Sequence, residues 1–400
     1  MKNIKGPKSA LTDFIEEHGI KIQHKKEISG AINDIKEITK KKRTKRIKIC
    51  KPLETVNRPD SVLEEEEKRM VSMLSNIENH QFDDESLRKI AIYLSKNRLM
   101  NQFYFQFLIE RSKDKLSIFD CANIPDSSFL NFKDLKTLEL FQCGQLTETT
   151  LNAILSNMER LTVLRITGAY LIENFEIPKT LNILDLTNCS RLSDDFICNL
   201  NESLTSLDEL RLSFCYGLSS MAQLSLSIKH LFICETKLSE NFLQNFEDLT
   251  SLSVSMCPNI NDLPTFRCIK HLDVGGITTL ENIKLPETIE SLNISYISSF
   301  GKFDYPNLKY LNLSHSNLDK DDFFKIYSCK ALKHLNISWN QIVDDDIFQG
   351  LLTDLNLEKL EVFGCFGLTK ASAALAYSIK DRCEVVGNPS ETIYLLDADL

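Results

Sequence analysis

The chain has 400 residues, 42% of them hydrophobic and 26% charged, with a formal net charge of -9. It shows no signal-peptide pattern and no apolar run near 18 residues, which speaks against secretion and against a membrane span. Its twelve cysteines include no Cys-x-x-Cys pair, which argues against a structural zinc cluster.

The charge is unevenly placed. Residues 1–60 carry 16 Lys and Arg against 8 Asp and Glu, so the other 340 carry 31 against 48. A basic arm precedes an acidic body, and the arm is expected to be largely disordered. Within it, residues 9–18 read as a short helix. Ser9 is an N-cap candidate, Gly19 a stop, and Leu11, Phe14, Ile15 and His18 form one stripe. A helix this short is marginal alone, so Leu11, Phe14 and Ile15 are expected to order on a partner or against the body. Further on, Lys40, Lys41, Lys42, Arg43, Lys45, Arg46, Lys48 and Lys51 form a dense cationic run. It suits nuclear import or sequence-blind contact with DNA phosphates, and with no aromatic residue in it base stacking is not indicated.

Residues 61–112 read as a helical cap. Ser61 and Glu64 make a capping-box signal. A second helix from about Asp84 puts Leu87, Ile90, Ala91 and Leu94 on one face. A third, Asn101 to Arg111, is ambiguous because Phe103, Phe105 and Phe107 alternate as a strand would.

From residue 113 to 388 a motif of the form Leu-x-x-Leu-x-Leu-x-x-Cys/Asn-x-x-Leu recurs. Its clearest copies are Leu135-Leu138-Leu140-Cys143-Leu146, Leu181-Leu184-Leu186-Cys189-Leu192 and Leu207-Leu210-Leu212-Cys215-Leu218. This is a leucine-rich repeat. It defines an α/β solenoid of about 12–13 units, curved, with a parallel sheet on its concave face. One unit cannot bury its own leucine row, but a stack buries a continuous one. The second leucines run Leu116, Leu138, Leu164, Leu184, Leu210, Leu231, Leu252, Leu272, Leu292, Leu311, Leu335 and Leu360, with Cys383 as a weaker thirteenth. Steps of 24–26 residues leave room for an outer helix, whereas steps of 19–21 do not, so the middle, from about Leu218 to Phe303, should be thin. Residues 389–400 form a tail. Six of the cysteines, from Cys121 to Cys365, sit at the strand-end position of the repeat and need no disulfide to explain them.

In each unit the residues flanking the paired leucines point away from the core. This phase places Arg165, Arg211, Phe214, His230, Phe232, Met256, His271, Tyr296, Tyr310, His315, His334 and Trp339 on the concave face as candidate partner-binding residues. They read either as a hot-spot patch or as a solvated strand face. His230, His271 and His334 are separated by intervening units, too far apart for one zinc ion. Glu139, Asp185, Glu209, Asp273 and Glu361 dilute the arginines, which disfavours a DNA groove there. No catalytic, cofactor-binding or small-molecule motif appears, so a non-enzymatic chain without cofactor is expected.

Two segments outside the ladder carry a family resemblance. Gly6-Pro7-x-Ser9-Ala10-Leu11-Thr12-x-Phe14, ending in Gly19-Ile20, resembles the N-terminal signature of the fungal "radiation-sensitive seven" family, the leucine-rich-repeat subunit of the global-genome nucleotide excision repair complex. Leu94-Ser95-Lys96-Asn97-Arg98 with Asn101 resembles that family's block before its first repeat. The resemblance implies a nuclear, non-enzymatic damage-recognition scaffold working with a Swi2/Snf2-type RING ATPase, and with elongin C and a cullin in a ubiquitin ligase. The elongin contact would fall at Leu87, Ala91 and Leu94, although the same face also suits packing on the first repeat. The competing expectation is a cullin substrate receptor unrelated to repair, weakened because no F-box-like segment lies between Val62 and Lys113.

Overall fold

The computed structural model describes residues 82–203, 207–219, 228–243, 246–280, 285–298 and 303–387. The chain divides into two units, Met1–Ile77 and Glu78–Leu400, and everything below concerns the second. The basic arm, the helix with Leu11, Phe14 and Ile15, the cationic run Lys40 to Lys51, the first cap helix and the tail 389–400 lie outside the described residues.

Thirteen short strands form one parallel sheet whose spatial order is the chain order. They are β1 (Lys115–Ile118), β2 (Thr137–Phe141), β3 (Val163–Thr167), β4 (Ile183–Asp185), β5 (Glu209–Arg211), β6 (His230–Phe232), β7 (Ser251–Ser253), β8 (His271–Asp273), β9 (Ser291–Asn293), β10 (Tyr310–Asn312), β11 (His334–Asn336), β12 (Lys359–Glu361) and β13 (Glu384–Val386). The second leucines pair in one register, as in Leu138 with Leu164, Leu231 with Leu252 and Leu335 with Leu360. The last unit corrects the sequence phase: Leu360 pairs with Val385, not Cys383. The two residues alternate on the same face of a strand, so a two-residue slip keeps the inside–outside pattern and leaves no trace in hydropathy.

The strand leucines and the strand-end residues make a continuous core, with Leu138, Leu164, Leu184, Leu210 and Leu231 fully buried. At the strand ends the side chain bonds back to the preceding unit. The thiols of Cys189, Cys215, Cys257 and Cys365 donate to the carbonyls of Ile166, Leu186, Ile233 and Ile337 at 3.0–3.4 Å. Asn340 does the same with its amide, donating to Leu313 and Ile337 carbonyls at 2.8 Å. A weak S–H donor suffices because it adds a bond to a buried carbonyl that other groups also reach, as Cys189 N–H does at Leu186, Thr236 Oγ1 at Ile233 and Asn340 Nδ2 at Ile337. Burial pushes the Cys189 thiol up to about 12 and holds Cys143 and Cys215 protonated as well, so these thiols are structural rather than nucleophilic.

The outer side follows repeat length. Long units carry the helices α3 (Glu148–Leu155), α4 (Asp194–Ser203), α5 (Lys320–Ile326), α6 (Asp345–Asp354) and α7 (Lys370–Ser378). Between α4 and α5 the described residues hold only a 3-10 turn, Glu240–Leu243. Acidic residues near the outer elements tie one unit to the next. Asp126 accepts from Thr147 and Thr150, Asp194 from Ser219, and Asp345 from Thr369 and Ser372.

The N-terminal edge of the sheet is covered by two helices, α1 (Asp84–Lys96) and α2 (Gln102–Arg111). Asp83 caps α1 by accepting from Ser86 N–H at 2.7 Å, and Asn101 caps α2 by accepting from Tyr104 N–H at 3.1 Å. The ambiguous third segment is therefore a helix. Its core side takes Phe105, Leu108 and Ile109, with Phe107 against Phe82, while Phe103 stays in solvent. The Asp84 carboxylate then accepts from the backbone N–H groups of Lys113, Asp114 and Lys115 at 3.0–3.2 Å, locking α1 to the start of β1. Covering a sheet edge in this way blocks strand addition there.

Candidate functional site

The cap corrects one expectation at once. Leu87, Ala91 and Leu94 are buried at 2%, 0% and 0% exposure in α1, which packs on β1. They belong to the cap's own core and do not offer elongin a surface as the fold stands. A helical stripe of this kind has the same spacing whether it faces its own repeat or a partner.

The strand face brings the other sequence-derived candidates into columns, because equivalent residues of successive units lie side by side in register. Its first half is an ion-paired network. Arg165 reaches Glu139 at 3.6 Å and Glu209 at 4.0 Å, and Arg211 reaches Glu209 at 2.6 Å. The Arg211 guanidinium also lies 3.9 Å from the centroid of Phe232. Glu139 accepts from Ser117 and pairs with Lys115. Both arginines thus have carboxylate partners within the protein, and His230 shares a hydrogen bond with Ser251 at 3.0 Å.

In the second half, His271, Tyr310 and His334 occupy the column before the second leucine, and Tyr310 and His334 lie 4.7 Å apart by ring centroids. Two places further along each unit comes a column of amides, Asn293, Asn312 and Asn336. Each turns its Oδ1 onto the backbone N–H two residues on, at Ser295, Ser314 and Ser338. Glu361 continues the column and is paired with Lys359 at 2.6 Å.

The strand-end residues form a third column with an unusual backbone. Phe214, Met256, Tyr296, His315 and Trp339 all have φ between 58° and 67° except His315 at 55°. This is the left-handed region, where a bulky side chain costs on the order of 1 kcal/mol. Elsewhere in the same column the chain uses Asn188, Gly168, Gly276 and Gly364, for which the conformation is cheap, and Gln142 and Glu235, for which it is not. Phe214 is half-buried, whereas Met256, Tyr296 and Trp339 are exposed at 46%, 42% and 50%. Tyr296 stacks on His315 at 4.9 Å and 3°, and His315 on Trp339 at 5.6 Å and 11°. The stack ends on Gly364, where an added Cβ would lie 2.3 Å from the Trp339 ring. Phe363 and Phe366 extend the exposed aromatic surface at 46% and 65%. Sequence phase put the strand-end residues on this face, but did not single out Phe363 and Phe366 as partner-binding or foresee the backbone strain.

Among the described residues no group of three or more His, Cys, Asp or Glu is placed to hold a metal ion. His230, Ser251, His271, Ser291, Tyr310 and His334 follow one another in the ladder, so units without a histidine separate the three histidines. Among the described residues no helix is long and apolar enough to cross a membrane.

Thirteen in-phase parallel strands with outer helices, strand-end thiols and a cap over the first strand define a leucine-rich-repeat protein, and an exposed strand face is the part of such a solenoid that is free to meet a partner. No protein-family model matches the chain. It is 23% identical over 224 residues to the DNA repair protein rhp7 of Schizosaccharomyces pombe, covering 49% of this chain and 40% of that one. With the DNA repair protein RAD7 of Saccharomyces cerevisiae it shares 27% identity over 232 residues, covering 52% and 40%. A Caenorhabditis elegans protein named for RNA binding, EEED8.10, matches at 26% over 191 residues, 47% of this chain and 23% of that one. A solved yeast structure, of a Rad7 and Elc1 complex, aligns at 18% identity and a TM-score of 0.48, over 93% of this chain and 100% of that one. The chain thus resembles the radiation-sensitive-seven family, as its sequence blocks suggest, and the matches span less than half the length of the curated relatives.

Proposed function

We propose that the chain is a non-enzymatic interaction scaffold of nucleotide excision repair, acting in the nucleus, whose strand face holds a partner protein. The likeness to two fungal DNA repair proteins carries the repair assignment. The surface assignment is supported by exposed aromatic side chains kept at a conformational cost in the second half of the face. A partner in this reading is a Swi2/Snf2-type ATPase with a RING finger. Elongin C and a cullin join it through a surface other than the buried Leu87, Ala91 and Leu94. The cationic run from Lys40 to Lys48 serves nuclear import or contacts DNA phosphates without sequence preference. Nothing in this role calls for a reaction, a cofactor or a small molecule.

Purification of the chain from nuclei under native conditions tests the reading. A Swi2/Snf2 ATPase is expected to co-purify, and to be lost when Trp339 is replaced by Ala. A cullin recovered with no such ATPase would replace the repair role by that of a ligase substrate receptor. For the arm, DNA affinity of the full chain should fall steeply with salt, and should lose most of that slope when Lys40, Lys41, Lys42 and Arg43 become Gln.

A further inference from the structure

The two ends of the solenoid are finished differently. At the first strand α1 and α2 lie over the sheet edge, whereas the last unit ends in the open. The helix α7 buries only Ser372, while α6, one unit earlier, buries Ile347, Phe348, Leu351 and Leu352. Tyr377 on α7 is 73% exposed, and Leu375 and Ile379 are half-buried. In β13 Val385 and Val386 are half-buried as well, although Leu360, the partner of Val385 in β12, is fully buried. The backbone is open too. Glu384 N–H donates to the Glu358 carbonyl, and the Val386 carbonyl accepts from Val362 N–H. Strand alternation therefore turns the N–H and C=O of Val385 away from β12. Among the described residues no strand pairs with β13 on that side.

A terminal unit of a solenoid stays soluble by turning a polar face outward or by being covered. This one turns out valine, leucine, isoleucine and tyrosine, so it calls for a cover. Three observations select residues 388–400, thirteen in number. The first is connection. They begin where β13 stops, at Gly387 with φ 93°, beside the preceding unit, where an added Cβ would lie 2.6 Å from the Phe363 nitrogen. Thirteen extended residues reach about 43 Å, and the next strand position is only about 4.8 Å away, so the segment is held at high local concentration. The second is order. Gly387-Asn388-Pro389-Ser390 is a turn sequence, and Thr392-Ile393-Tyr394-Leu395-Leu396 is a strand-like run of β-branched, aromatic and apolar residues. The third is charge. In an otherwise acidic body, residues 370–387 hold Lys370, Lys380 and Arg382 against Asp381 and Glu384, whereas 388–400 hold Glu391, Asp397 and Asp399 and no cation. Among the described residues no ion pair engages Lys370 or Lys380.

We propose that the open edge of β13 is the docking site of the chain's own residues 388–400, which fold back as a C-terminal cap. Residues 392–396 run along the edge, bond the N–H and C=O of Val385, and cover the apolar side chains that α7 and β13 leave half-buried. The added strand is antiparallel, because a parallel one needs a crossover of a dozen or more residues and the connection here is far shorter. The acidic residues of the segment meet Lys370 and Lys380. Capped in this way, the sheet is closed to strand addition at its last strand as it is at its first, and a partner is left with the strand face. The inference goes beyond the repair reading and stands or falls without it.

Hydrogen exchange of the full chain tests this through the amide of Val385, which only a cover on the open side can protect. In the parent that amide should be protected. In the triple variant Ile393→Ser, Tyr394→Ser, Leu395→Ser it should exchange faster by roughly tenfold or more, because an uncovered edge opens locally. Amides of β2 to β6 should keep their rates, since solenoid units couple only to their neighbours. The conservative set Ile393→Val, Tyr394→Phe, Leu395→Ile should hold the parent's rate. Lys370→Gln with Lys380→Gln should speed exchange at Val385 roughly twofold, an effect of surface ion pairs that added salt removes. The proposal is overturned if the parent and the triple variant exchange Val385 equally, or if the triple variant loses protection along the whole ladder. It is overturned equally if protection of Val385 rises with protein concentration together with a dimer in sedimentation, for a second copy would then be the cover.

Discussion

The two halves of the strand face share one backbone and use it in opposite ways. From β2 to β6 the polar side chains consume one another: Glu139 and Asp185 are both 8% exposed, and Arg165 spans two carboxylates. From β9 to β12 the charges thin out and aromatic rings and amides replace them. Identical repeats therefore do not make an evenly sticky surface. What matters is whether a unit's side chains are satisfied by the units beside it, because a satisfied group loses as much as it gains on meeting a partner.

Stability and binding should accordingly separate along the ladder, and the largest effect on folding is expected in the first half. Replacing Arg165 by Ala removes the cation shared by Glu139 and Glu209, leaving them only Lys115 and Arg211, and should cost about 2–3 kcal/mol in urea unfolding, with partner capture intact. A variant as stable as the parent would show the network to be idle. Gly364→Ala comes next. Its Cβ meets the Trp339 ring at a φ of 64°, so about 1–2 kcal/mol should be lost together with a shift of the tryptophan emission. An unshifted spectrum would break the link between that glycine and the ridge.

Glu235→Gly runs the other way. Glu235 is exposed with φ 51°, so relief of the left-handed strain should stabilise the chain by up to about 1 kcal/mol. A destabilised variant would mean that this backbone conformation carries no strain. A smaller effect is expected from acid. The hydroxyls of Ser372 and Thr369 hold the Asp345 carboxyl below the usual carboxylate range. Its contribution is present above the ordinary carboxylate pKa and is lost as pH falls through the lowered one. The drop in urea midpoint between pH 7 and pH 3 should therefore be shallower in Asp345→Asn than in the parent, and an equal drop would refute the assignment. Smallest for folding is Trp339→Ala, expected within about 0.5 kcal/mol of the parent although it abolishes partner capture. A large loss of stability there would recast the ridge as structural.

The register of the sheet was readable from spacing alone, since twelve second leucines from Leu116 to Leu360 pair as their periodicity predicts. The exception, Val385 in place of Cys383, came where alternation alone had to decide and the repeat was most degraded. Among the described residues the middle holds only a 3-10 turn between α4 and α5, in line with the short steps there, because step length sets how much chain is free to wind on the outside. Burial of Leu87, Ala91 and Leu94 was not, for an amphipathic stripe carries no address. Nor was the orientation of the Asn312 and Asn336 amides legible, since it depends on which atom of each amide the neighbouring backbone claims.

The carboxylate ties on the outer side have a mechanical consequence. Asp126 and Asp194 staple the early units, and Asp345 the late ones, each bonding across a joint near the outer elements. In the middle, where the second leucines step by only 19–21 residues and the described residues hold a single 3-10 turn between α4 and α5, the tie from Glu240 to Asn261 N–H is longer, at 3.4 Å. Under load the solenoid should act as a beam with two stiff ends and a compliant waist, so that a partner pulling on one end changes the angle at which the other is presented.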